Sequence, residues 1–181
     1  MKKFFVCFIL MIAIAGISAF ACVQADAGDE AGVNAAYLRV HIRANSNDEN
    51  DQRVKYKVRD GVVAYLTPVV AECETKEQAV KKINAALPKI VAVAEGILRA
   101  NGYTYGARAS VRREEFPTRV YENVTLEAGV YDALILELGT GAGDNWWCVV
   151  YPPLCFTSGN GNVVYKSKIL EIVRKFFSSQ P

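Results

Sequence analysis

A single histidine, His41, limits the chemistry open to this chain. Acyl transfer by a histidine-assisted nucleophile would have to run through it. No serine stands in the Gly-x-Ser-x-Gly turn that exposes such a nucleophile. A zinc centre would need His41 with cysteines whose spacing fits no zinc motif. Gly139-Thr140-Gly141-Ala142-Gly143 has the glycine density of a phosphate loop. Such a loop leads into a helix whose first amides hold the phosphate, and it usually carries a lysine. Here an aromatic, β-rich run follows at Trp146, so the segment reads as a hairpin connection. Asp48, Glu49 and Asp51 crowd together without calcium-loop spacing or its closing glutamate. They suit the N-terminus of a helix instead. Glu114 and Glu115 are adjacent, so on a strand they face opposite ways. The reading is a protein with no catalytic residue, no cofactor and no metal site, and not an enzyme.

Recognition is better served than catalysis. Trp146 and Trp147 are consecutive, so on a strand one ring faces each side. An outward ring beside Tyr151 and Pro152-Pro153 would anchor a protein partner, because aromatic side chains dominate interface energetics. The alternative, that other segments cover both rings, stays open. Arg39 and His41 lie on what reads as a partly exposed strand face, and Asn45 and Asn47 on the loop after it. These seven residues are the expected partner-binding set. Cys148 and Cys155 are close in sequence, with Pro152-Pro153 between them to fold the chain back. In an oxidising compartment they are a disulfide candidate. Closing so short a loop would contribute about 2–3 kcal/mol on a chain-entropy account. Two buried thiols are the alternative. Cys73 has no evident partner and is expected to be buried.

The elements that would position these residues follow from periodicity. Leu38, Val40 and Ile42 alternate with Arg39, His41 and Arg43, the pattern of a strand with one buried face. Ser46 and Glu49 have the form of a capping box. A helix is expected over 49–71 with a stripe of Val54, Val58, Val62, Tyr65 and Val69, an Asp51–Lys55 pair, and Pro68 bending or ending it. Thr75 and Gln78 open a second helix that runs to Asn101-Gly102, broken or kinked at Pro88. Strands are expected over 103–112, 120–126, 130–138 and 146–151, and an amphipathic helix over 167–179. The implied class is α+β: a mixed or largely antiparallel sheet with two long helices on one face, in two layers.

Processing signals come first in the chain of 181 residues. Lys2 and Lys3 precede an apolar run to Ile17, and Ala19-Phe20-Ala21 offers a cleavage site, so residues 1–21 read as a signal peptide. An uncleaved anchor and a lipid on Cys22 stay open. Residues 22–36 read as a linker, 37–156 as the main domain, and 157–181 as a loose segment with the terminal helix. Without Lys2 and Lys3 the basic and acidic residues balance, which argues against a nucleic-acid partner.

Several segments together resemble the stage II sporulation protein R family. They are Leu38-Arg39-Val40-His41-Ile42-Arg43-Ala44-Asn45-Ser46-Asn47, Asp51-Gln52, Lys57-Val58-Arg59-Asp60, Phe116-Pro117-Thr118-Arg119 and Ala128-Gly129-Val130-Tyr131. The most specific is Asn145-Trp146-Trp147-Cys148-Val149-Val150-Tyr151-Pro152-Pro153-Leu154-Cys155-Phe156. The resemblance implies an exported signal of sporulation, passed from the forespore to the space between the two compartments' membranes. Its partner would be the mother cell's membrane-embedded aspartic protease, which processes the pro-sigma-E precursor. An exported wall-associated hydrolase or ligand-binding module is the competing reading.

Overall fold

Apolar residues at every second position of one strand, and at every third or fourth of two long helices, can be buried together only if the helices lie across the strand's sheet. That is the arrangement found. The computed structural model describes residues 34–121, 124–154 and 163–179, with residues 163–169 by backbone alone. The expected leader, most of the linker, and Cys155 to Asn162 lie outside the described residues.

Strand β1 (Leu38–Arg43) is followed by helices α1 (Glu49–Ala71) and α2 (Lys76–Ala100). Strands β2 (Ala107–Phe116), β3 (Arg119–Tyr121), β4 (Val124–Leu126), β5 (Gly129–Leu138) and β6 (Asn145–Tyr151) come next, and helix α3 (Val163–Ser178) follows them. The main sheet has the order β2-β5-β1-β6, while β3 and β4 form a two-stranded sheet. β1 runs parallel to β5, with Val40 beside Leu134, and antiparallel to β6, with His41 beside Trp147. The class is α+β with a mixed sheet, as expected.

The two long helices share one sheet face. Leu38, Val40, Ile42, Leu134, Leu136 and Leu138 meet Val54, Val58, Val62 and Leu66 of α1 and Ile83, Ile90 and Leu98 of α2. The buried stripe of α1 runs on through Leu66 and Val70, an unbroken i+4 series, and leaves Tyr65 and Val69 half-buried beside it. Pro68 and Pro88 both lie inside continuous helices. Thr75 caps α2, accepting from the Gln78 amide, and Gln78 answers at the amide of Glu74. α1 is capped by Asp48, which accepts from the Asn50 amide, not by Ser46. The Asp51–Lys55 pair is replaced by Glu49–Arg53 at 3.3 Å.

The other sheet face carries a second, smaller core of Tyr37, Phe116, Leu126, Tyr131, Ala133, Ile135 and Val149. The sequence pattern gave one strand over 120–126, and the structure folds it into β3 and β4. The glycine-rich segment 139–144 is not a hairpin turn. It joins β5 to β6 across the end of β1, which lies between them.

Candidate functional site

The site builds outward from β1. Its odd-numbered side chains point away from the helices, and Arg39 and His41 were expected to be partly exposed. Both are buried, at 0% and 4% exposure. The reason is the second core, which no local pattern announces.

Arg39 sits among rings. Its Cζ lies 4.2 Å from the ring centre of Phe116 and 4.8 Å from that of Tyr131. Its Nη2 donates to the Tyr121 hydroxyl at 2.7 Å. His41 is held at both nitrogens, by Glu114 Oε1 at 2.5 Å and Asn145 Oδ1 at 2.7 Å. Arg43 donates to Glu114 at 2.8 Å and to Glu137 at 3.1 Å. Burial pushes the Glu114 carboxyl up, but the hydrogen bonds and charges of His41 and Arg43 outweigh it and hold the group below the usual range. With both ring nitrogens engaged, His41 is placed as a structural tie across three strands rather than as a poised base.

Trp146 and Trp147 face opposite sides, as strand geometry requires, and both are half-buried. Arg59 of α1 stacks over Trp146 at 5.7 Å. Arg119 stacks over Trp147 at 4.4 Å, and the His41 ring lies 5.4 Å from it. Tyr151 does not join the outward ring. A register shift against Leu38 and Arg39 turns it to the helix side, where it is buried and donates to Glu74 O at 2.6 Å. There it helps line a cavity of about 250 Å³ with Cys73, Glu171, Lys175 and Phe176.

Asn45 and Asn47 tie three segments together. Asn45 donates to Asp51 at 2.8 Å and accepts from the Thr140 amide at 3.0 Å. Asn47 accepts from the Asp144 amide at 2.6 Å. Asp51 also accepts from Ser46 at 2.6 Å and from Tyr105 at 2.7 Å. Burial raises its carboxyl, and these bonds more than reverse that, leaving it low. Lys55, buried beside it, donates to Asp144 O at 3.0 Å, and desolvation lowers its ammonium. Gly143 must be glycine, since a Cβ there would overlap the Ser46 carbonyl. Asn47 is exposed and Asn45 half-buried, so the loop shows one edge to solvent while it braces the fold.

The structure therefore brings Arg39, His41 and Trp147 together on one sheet face and separates Tyr151 from them. Sequence reasoning missed Asp51 as a hub and the three rings around Arg39. The rings are supplied from β2, β3 and β5, and nothing in their own segments marks them. Cys148 is disulfide-bonded, and Cys155, its expected partner, lies outside the described residues. Cys73 is buried and free. Among the described residues there is no group of side chains able to hold a metal ion. Among them, too, no helix is long and apolar enough to cross a membrane.

Comparison with known proteins covers this same framework. A protein of Bacillus subtilis (strain 168) described as "Stage II sporulation protein R" is 36% identical over 139 residues, 76% of this chain. The aligned part spans 62% of that relative's length. No solved structure matches. The family described as Stage II sporulation protein R (spore_II_R) matches residues 34–160, from just before β1 to beyond β6. With the whole sheet, both long helices and the double-tryptophan strand inside that match, this chain belongs to the stage II sporulation protein R family.

Proposed function

We propose that this chain is an exported signalling protein of sporulation, without catalysis of its own. It activates the membrane-embedded aspartic protease of the mother cell that processes the pro-sigma-E precursor. The observation that carries the reading is the family match over residues 34–160. The buried polar groups support the non-enzymatic half of it, since His41 and Glu114 bind each other and their neighbours and leave no poised base. The chain is exported from the forespore into the space between the two membranes, with residues 1–21 as its leader or anchor. Cys148 pairs there with Cys155.

The docking surface in this reading wraps the β6 end of the sheet, with Trp147 under Arg119 on one face, Trp146 on the other, and the exposed edge of the Asn45–Asn47 loop at the end of β1. Binding shifts the protease toward its active state by contacting that state better than the resting one. The test is co-expression of the protease, its precursor substrate and the exported chain in a non-sporulating host. Precursor cleavage that depends on the exported chain is expected, and unchanged cleavage in its presence would end the proposal.

A further inference from the structure

One charge on the β3–β4 side of the sheet has no carboxylate paired with it among the described residues. The Arg39 guanidinium keeps its positive charge wherever it lies, and it is wholly buried. Its Nη2 is taken by the Tyr121 hydroxyl, while Nε and Nη1 have no hydrogen-bond partner among the described residues. Glu114 and Glu137 are paired with Arg43, and Asp132 with Lys76. Stacking on Phe116 and Tyr131 offsets part of the cost of burying the ion. Two strong donors remain without an acceptor at hydrogen-bond distance among the described residues.

We propose that the cage of Phe116, Tyr121 and Tyr131 is a binding site for a carboxylate, with Arg39 as the residue that receives it. A single buried guanidinium favours the single charge of a carboxylate over the higher charge of phosphate. Arg119 is stacked on Trp147, and His41 is fixed between Glu114 and Asn145. One guanidinium with aromatic walls matches a single negative charge on an apolar stem. The Arg39–Tyr121 contact closes the cage from β3, a three-residue strand paired only with the equally short β4. Such a pair is marginal by itself, and an entering carboxylate replaces the hydroxyl with a charge-assisted bond. The site stands independently of protease activation.

The test follows the arginine Nε–H resonances of the ¹⁵N-labelled full-length protein at fixed pH and ionic strength. Sodium chloride is replaced in turn by sodium acetate, sodium phosphate or a blocked glutamate peptide. One resonance, missing in Arg39→Met, is expected to move saturably with acetate or the peptide and not with phosphate. A response to the peptide alone marks a protein side chain as the source, and a response to acetate admits a free acid. Tyr121→Phe keeps the ring and frees Nη2, so it should respond at several-fold lower carboxylate concentration. The proposal is overturned if neither wild type nor Tyr121→Phe responds, if phosphate acts equally, or if Arg39→Met responds as wild type does.

Discussion

Thr140 and Asn45 stand 95 positions apart, yet the Thr140 amide donates to Asn45 Oδ1 at 3.0 Å and its hydroxyl to the Asn45 carbonyl at 2.7 Å. The same asparagine donates to Asp51. One side chain thus joins the β5–β6 connector, the end of β1 and the start of α1. Asn45→Ala should cost about 1–3 kcal/mol, the range for leaving buried polar partners unmatched. Urea denaturation measures it. Asn45→Asp should also destabilise at neutral pH, where its charge would meet that of Asp51, and should recover in part on acidification.

Asp51 and Glu114 are both held below the ordinary carboxylate range. A carboxyl that is lower in the folded than in the unfolded chain adds stability above the unfolded value, about 4. That contribution disappears as pH falls through the folded values. Wild type should therefore lose stability as pH drops below about 4. The double variant Asp51→Asn, Glu114→Gln should be weaker at neutral pH and change less across the same acid range. Unfolding free energies at matched pH values decide it.

Glycine tolerance should differ by site. A Cβ at Gly96, in α2, meets nothing within 4 Å, so Gly96→Ala should stabilise by about 0.5–1 kcal/mol. A Cβ at Gly143 overlaps the Ser46 carbonyl, so Gly143→Ala should cost about 1–3 kcal/mol. Thermal melts of the two variants beside wild type check the contrast.

How much of this was legible depended on whether the signal was local. The alternation of Leu38, Val40 and Ile42 gave β1, and the spacing of Val54, Val58 and Val62 gave the inner face of α1. The Thr75–Gln78 cap was readable for the same reason. His41 was misjudged as partly exposed because its cover comes from elsewhere, with Phe116 and Trp147 stacked against it. Tyr151 was misplaced because a bulge changes the face of a residue without changing its spacing. The parallel pairing of β1 with β5 left no mark at all, since both strands have the alternation that antiparallel neighbours also show.

The cysteines should separate cleanly. Cys73 is buried, and burial pushes its thiol up, so it should resist iodoacetamide until the protein unfolds. A non-reducing peptide map should recover Cys148 joined to Cys155. Reduction should lower stability by about 2–3 kcal/mol, and recovery of Cys148 with any other cysteine would refute the proposed pair.

Trp147→Ala and Asn47→Ala should separate docking from folding. Trp147 lies half-buried under Arg119, and Asn47 is exposed. If the proposed surface is right, both variants should be exported at wild-type levels in the co-expression host and support less precursor cleavage. Full cleavage by both would move the contact elsewhere on the molecule.

The position of β1 bears on the order in which the protein can assemble. Among the described residues it is the first strand and an interior strand of the sheet, and both of its neighbours, β5 and β6, come last. A chain emerging N-terminus first must therefore carry β1 unpaired until β5 is available, and with one edge open until residues as far as Tyr151 follow. Such late closure slows folding, since distant contacts must form before they repay their entropy. Under the proposed export, in which the polypeptide crosses a membrane as an open thread, delay of that kind is an asset.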